Sequence, residues 1–202
     1  MEMQVQWFGP FVLVPQTEFD GKWVFDQPEC DAPGLYLWTI KHEGEYLVNY
    51  VGEAGPGKNG DRSLRVRLEE NMWHSYMGGD KYVTIPQKFR RGQSGKNDRV
   101  KFATMREFLA DYSWLSPMIH ENFCSYRVFV APAIEVADNA KLTDGKVRKY
   151  IEAGIIRNLK APGDSISEFL VNKKITAPAS PPLSVEFKMA HILHGLEGYV
   201  PC

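Results

Sequence analysis

Residues 34–52 read G-L-Y-L-W-T-I-K-H-E-G-E-Y-L-V-N-Y-V-G, and a glycine-rich loop then leads into S-L-R-V-R-L-E-E-N at residues 63–71. Two apolar runs, Leu35–Ile40 and Tyr46–Val51, flank a polar turn centred on Gly44, which is the pattern of a β-hairpin. A three-residue loop, His42-Glu43-Gly44 with Gly44 in the left-handed conformation, is a favoured hairpin form. It sets Lys41 opposite Glu45, a favourable cross-strand charge pair. Trp38 then faces Val48, and Tyr36 faces Tyr50. A two-residue turn at Glu43-Gly44 would shift the register by one and send the two tyrosines to opposite faces of the sheet. The first register is the expected one.

Asp61 or Ser63 can cap the helix that follows, which runs to about Met77 and stops at Gly78-Gly79. Leu64, Leu68, Met72 and Tyr76 form its apolar stripe. At about 100° per residue, Arg67, Asn71 and His74 fall along one edge of that stripe. Residues 104–122 read as a helix interrupted near Pro117, and Tyr126–Val130 as a third strand. Asp144 precedes a helical pattern in which Val147, Ile151, Ile155 and Leu159 recur every four residues. Glu152 lies inside that apolar segment. A carboxylate there costs energy unless it is paired or binds a cation, and Arg148, one turn earlier, is the partner that helical spacing offers.

The flanks are less regular. Residues 5–14 read as a further strand outside the hairpin, at an edge because of Pro10. Residues 26–33 read as an extended lead-in, residues 176–182 as a proline-rich connector, and Val185–Leu193 as a last strand or short helix. His191 and His194 lack a third metal ligand, so a structural role is expected.

The 202 residues are 44% hydrophobic and 24% charged, ordinary for a globular chain. No run approaches 18 apolar residues, so no membrane span is expected. The first residues show no secretory pattern. Three scattered cysteines, Cys30, Cys124 and Cys202, suit a reducing, cytoplasmic setting. The net charge of −1 is unevenly spread. Residues 1–57 hold two lysines against nine Asp and Glu, a balance of −7, whereas residues 58–101 hold eleven Lys and Arg against five, a balance of +6. Lys58 and Arg62, then Lys81, Lys88, Arg90, Arg91, Lys96, Arg99 and Lys101, give this middle the look of a phosphate-binding surface, or of a solvated loop region. Residues 78–101 lack periodicity and read as a basic insertion able to track DNA.

Gly52 to Asn59 also fits G-x-x-x-x-G-K, the phosphate-binding P-loop, but Asn59 stands where the Mg²⁺-ligating hydroxyl should be and Gly60 follows where a helix should be running. A nucleotide-binding protein is therefore a weak rival reading.

Gly34-Leu35-Tyr36 and Tyr50-Val51-Gly52, followed by Leu64-Arg65-Val66-Arg67-Leu68, resemble the paired tripeptides and arginine helix of the GIY-YIG nucleases. The resemblance implies a small antiparallel three-stranded sheet flanked by helices, with a basic insertion and terminal extensions. On it, residues 1–202 make one domain: hairpin and arginine helix at 34–77, insertion at 78–122, third strand and glutamate helix at 126–172, extension at 173–202. It also implies divalent-metal-dependent endonuclease chemistry on DNA, with no membrane partner and a homodimer where both strands are cut. Tyr36, Tyr50, Arg67, Glu152 and Asn172 match the family's catalytic positions by order. Glu152 would hold Mg²⁺ or Mn²⁺, and Tyr36, its pKa lowered, would deprotonate the attacking water. The chain departs from the family at Asn71, where His or Tyr is common, and at Glu53, where some members carry Lys. His74 is the nearest substitute for the first. The departures motivate the alternative of a catalytically inactive nucleic-acid-binding module on the same scaffold.

Overall fold

The hairpin closes differently from the expected register. In the computed structural model, Gly34–His42 and Glu45–Ala54 pair as His42 with Glu45, Lys41 with Tyr46 and Thr39 with Val48. The turn is thus the two-residue one, with Gly44 at φ +91°, a conformation that glycine adopts without strain. Asn49 is then left over, and pairing resumes with Trp38 opposite Tyr50 and Tyr36 opposite Gly52. This bulge shifts the register once more in the same direction, from Tyr36 opposite Val51 to Tyr36 opposite Gly52, and so restores the expected phase. Tyr36 and Tyr50 therefore share a face after all, as diagonal rather than direct neighbours, with ring centroids 5.9 Å apart. The buried Asn49 amide is satisfied: its Oδ1 accepts from the Tyr126 hydroxyl at 2.9 Å.

The structure describes residues 2–15, 21–42, 44–56, 60, 62–76, 82–84, 99–101, 105–160, 170, 184–196 and 199–201. Among them the strands are β1 (Glu2–Gln6), β2 (Phe8–Val12), β3 (Gly34–His42), β4 (Glu45–Ala54), β5 (Tyr82–Thr84), β6 (Arg99–Lys101), β7 (Tyr126–Pro132), β8 (Ser184–Lys188) and β9 (Tyr199–Pro201). The helices are α1 (Leu64–Tyr76), α2 (Met105–Ala110), α3 (Tyr112–Ser125) and α4 (Gly145–Leu159).

The fold is mixed α/β. Its main sheet has the order β2-β7-β3-β4 and is antiparallel throughout. It holds four strands rather than the expected three, because Phe8–Val12 adds to the free side of β7. Pro10, which has no N–H for a ladder, sits on that edge strand. A second sheet, β1-β8-β9, joins the two ends of the chain, with β1 and β8 parallel. The fully buried Asn139 side chain ties the sheets together, donating to the Gln6 and Pro132 carbonyls and accepting from the Gln6 N–H at 2.8–3.0 Å.

Each face of the main sheet has its own core. Tyr36, Trp38, Ile40, Leu47 and Val128 pack with Leu64 and Leu68 of α1 and with Leu115, Ile119 and Phe123 of α3. Leu35, Leu37, Val48, Val51 and Phe129 pack on the other face with Ile151, Ile155, Ile156 and Leu159 of α4 and with the second sheet. Each such fully buried aliphatic side chain contributes about 1.5–3 kcal/mol, so α1 and α4 are held on opposite sides of one sheet.

Local capping follows the sequence. The Ser63 hydroxyl accepts from the Val66 N–H at 3.3 Å, and the Asp144 carboxylate accepts from the Lys146 N–H at 2.8 Å. Three expectations are corrected. Residues 24–26 and 28–31 form 3₁₀ turns rather than an extended lead-in. The break within residues 104–122 falls at Asp111, and Pro117 lies inside α3 on its exposed side. The insertion carries an antiparallel ladder, β5 with β6, bracketing residues 85–98.

The C-terminal segment covers the start of the β4 edge. Tyr46 N–H donates to the Ile192 carbonyl and His194 N–H to the Tyr46 carbonyl, at 3.0 and 3.1 Å. His194 Nδ1 lies 2.8 Å from Glu45 Oε2, and His191 packs edge-on against Tyr46 and Phe129. Both histidines thus have structural neighbours.

Candidate active site

Of the side chains that the sequence singles out, Tyr36, Tyr50, Arg67 and Glu152 gather around the far end of β4. Tyr36 is completely buried, its ring lying over the backbone of Gly52. A Cβ built on Gly52 would stand 2.2 Å from Tyr36 Cζ. The glycine of Tyr50-Val51-Gly52 is therefore required by the tyrosine of Gly34-Leu35-Tyr36, strand against strand. The Tyr36 hydroxyl accepts from Asn71 Nδ2 and shares a hydrogen bond with Tyr50. Tyr50 is only half-buried.

Arg67 reaches the same place from α1. It is half-buried, and its Nη1 donates to Glu70 Oε2 at 3.1 Å, an oxygen that Arg62 Nη1 also meets at 3.1 Å. Burial alone would lower the Arg67 pKa, but Tyr36, Glu70 and Tyr50 more than offset it and the pKa rises. The guanidinium is a fixed cation beside two phenols.

Glu152 approaches from α4. Burial, and next the charge of Glu53, push its carboxyl from 4.5 up to about 7, while Arg67 and Lys149 pull it back. Glu152 forms no hydrogen bond or ion pair among the described residues. The expected partner is committed elsewhere: Arg148 Nε donates to Glu53 Oε2 at 3.0 Å, and its Nη1 donates to the Leu142 and Thr143 carbonyls. The Glu152–Arg148 pairing expected from helical spacing is thus corrected, because the guanidinium crosses to β4.

The expectation for Tyr36 is corrected as well. Burial first, then the neighbouring Tyr50, hold its hydroxyl well above the usual tyrosine range despite Arg67 and the Asn71 hydrogen bond. A general base needs the opposite. Tyr36 is the buried member of the pair, and Tyr50 is the phenol nearer to water. The importance of Asn71 as the donor to Tyr36 was not drawn from the sequence, although its position on the Arg67 edge is the signal that could have shown it.

His74 lies on α1 by its backbone. Lys58, Lys81, Lys88, Arg90, Arg91, Lys96 and Asn172 lie outside the described residues, and Arg99 and Lys101 are placed by backbone alone, on β6. Arg62 is engaged with Glu70. The P-loop reading does not survive: β4 continues past Gly52 through Ala54 and α1 begins only at Leu64, whereas a P-loop needs its helix N-terminus at the lysine.

Among the described residues, no group of three or more His, Cys, Asp or Glu side chains comes together to hold a metal. A structural metal of the Cys/His kind therefore has no site there. Mg²⁺ asks for less: it keeps several waters and uses one or two carboxylates plus substrate phosphate oxygens. A half-buried carboxylate without a partner among the described residues, within the field of a second carboxylate, fits that demand.

No family model matches the chain, and neither a curated protein nor a solved structure matches it. No helix among the described residues is long and apolar enough to cross a membrane.

Proposed function

We propose that the chain is a divalent-metal-dependent endonuclease of the GIY-YIG type, hydrolysing phosphodiester bonds in DNA. The observation that carries the reading is the convergence of Arg67 and Glu152. They stand on helices packed against opposite faces of the sheet, yet each lies within electrostatic reach of the other, with the Tyr36–Tyr50 pair beside Arg67. Nothing in core packing asks a cation, a carboxylate with no partner among the described residues and two phenols to gather at one spot.

Each residue then has a chemical task. Arg67 stabilises the charge that grows on the phosphate in the transition state. Glu152 would hold Mg²⁺ or Mn²⁺, which supplies Lewis-acid stabilisation of a phosphate or leaving oxygen. Tyr50, the phenol nearer to water, acts in its phenolate form beside the Arg67 cation and takes the proton of the attacking water to become the neutral phenol, and Tyr36 with Asn71 keeps it oriented. The basic insertion tracks the backbone on either side of the scissile bond.

Plasmid nicking in Mg²⁺ and in Mn²⁺ tests this reading. Cleavage should require the cation and fall by orders of magnitude in Glu152→Gln and Arg67→Ala, with DNA affinity retained. A second reading, a nucleic-acid-binding module without activity, is favoured by one observation: Asn71, which cannot transfer a proton, is bonded to the Tyr36 hydroxyl. DNA binding without cleavage in either cation would select it.

A further inference from the structure

We propose that Glu53, held in place by the buried Arg148, is a positioning residue that sets how tightly the Glu152 site takes a divalent cation. The proposal rests on the reading of Glu152 as a cation ligand given above.

The geometry begins with Arg148. Its side chain is 2% exposed, and a buried guanidinium is tolerated only when its donors are matched. Nε donates to Glu53 Oε2 at 3.0 Å, and Nη1 donates to the carbonyls of Leu142 and Thr143 at 2.6 and 3.0 Å. Nη2 fills a slot left by two glycines. A Cβ on Gly55 would come within 2.0 Å of it, and one on Gly145 within 3.3 Å. Strand, lead-in and helix are all shaped around one guanidinium. The result pins α4 to β4 at the residue next to Gly52. Glu152 lies one turn beyond Arg148 on the same side of the helix, so its distance from the Tyr36–Tyr50 pair is fixed by the same bond.

An apolar contact would pin the helix equally well. What the ion pair adds is a carboxylate held by a side chain one helical turn from Glu152, and Glu53 is the strongest charge acting on Glu152. Two carboxylates side by side repel one another and attract a hard dication. Glu53 still acts on Glu152 with Arg148 bound to it, whereas the cations that act there are Arg67 and Lys149. Glutamate at this position therefore raises cation affinity, where a lysine would lower it.

The test is Mn²⁺ binding to the full chain, with free Mn²⁺ followed by its electron paramagnetic resonance signal. The variants are Glu152→Gln, Glu53→Gln and the apolar pair Glu53→Leu/Arg148→Met. The pair keeps a folded readout even if Glu53→Gln strands the Arg148 charge and fails to fold, because buried ion pairs are generally replaceable by apolar residues of similar volume. Glu152→Gln should lose binding. Both Glu53 variants should bind about tenfold more weakly, the size of one nearby charge at intermediate dielectric. Wild-type affinity in the apolar pair would show a purely steric clamp and overturn the proposal, leaving Glu152 as the ligand. A wild-type chain that takes up no Mn²⁺ overturns both the proposal and the cation site beneath it.

Discussion

Replacing Glu152 by glutamine should make the protein more stable and less active at once. Its carboxyl is pushed from 4.5 to about 7 in the folded chain. At about 1.4 kcal/mol per pKa unit, the ionised form costs the fold up to about 3.5 kcal/mol. Water at the half-buried side chain lowers this to roughly 1–3 kcal/mol. The sign follows from which state ionises first. Below pH 4.5 both folded and unfolded chains hold the proton, and the group is neutral in the balance. Between 4.5 and about 7 the unfolded chain ionises while the folded chain does not, so wild type loses stability as pH rises. Above about 7 the loss is complete. Glu152→Gln has no such slope. Urea unfolding between pH 5 and 8 should show the curves diverging, with the variant ahead by roughly 1–3 kcal/mol at pH 8. Added Mn²⁺ should restore stability to wild type alone, since a ligand that binds only the folded state stabilises it by mass action. Parallel pH curves, or a variant less stable at pH 8, would refute the placement of this carboxylate.

Gly52→Ala should cost about 1–3 kcal/mol by overpacking, read as a lowered urea midpoint. The double variant with Tyr36→Leu should be no less stable than Tyr36→Leu alone, because the clash is with the Tyr36 ring. Asn71→Ala removes a donor from a buried hydroxyl and should cost about 1–2 kcal/mol, largely absent in a Tyr36→Phe background when the two are compared in a double-mutant cycle. Replacing Arg90, Arg91, Lys96 and Arg99 by alanine should weaken DNA binding and flatten its salt dependence by roughly one log–log unit for each phosphate no longer neutralised. An unchanged slope in filter-binding titrations would mean that these side chains only solvate a loop.

The parts of the fold governed by local rules were legible in the sequence. Period-two apolar runs marked β3, β4 and β7, and Ser63 and Asp144 marked two helix starts that their hydrogen bonds bear out. Long-range choices were not legible. Helical spacing offered Arg148 to Glu152, but a guanidinium is long enough to reach another element, and the slot at Gly55 and Gly145 receives it. Nothing in residues 45–54 announces a bulge at Asn49, since its buried amide is satisfied by Tyr126, 77 residues away. The GIY-YIG resemblance offered a set of positions, of which Tyr36, Tyr50, Arg67 and Glu152 act on one another in the fold. Their electrostatics were not legible, because the raised pKa of Tyr36 depends on burial beneath α1, which no local pattern records.

The bulge at Asn49 separates the hairpin into two segments with independent phase. Between Glu45 and Val48 the strand is timed by its turn, and between Tyr50 and Ala54 it is timed by its contacts with Tyr36 and Arg148. Straightening the strand with Asn49 kept in the ladder would leave the tip untouched and rotate everything beyond it by half a turn of the pleat. Tyr50 would then point toward α4, and Glu53 toward the Tyr36 ring. A chain built this way can absorb a length change at its exposed tip by moving a bulge, whereas a single residue gained or removed after Asn49 turns the site inside out. Variation among natural descendants of this chain should therefore gather at residues 42–45 and leave the count from Tyr50 to Gly55 fixed.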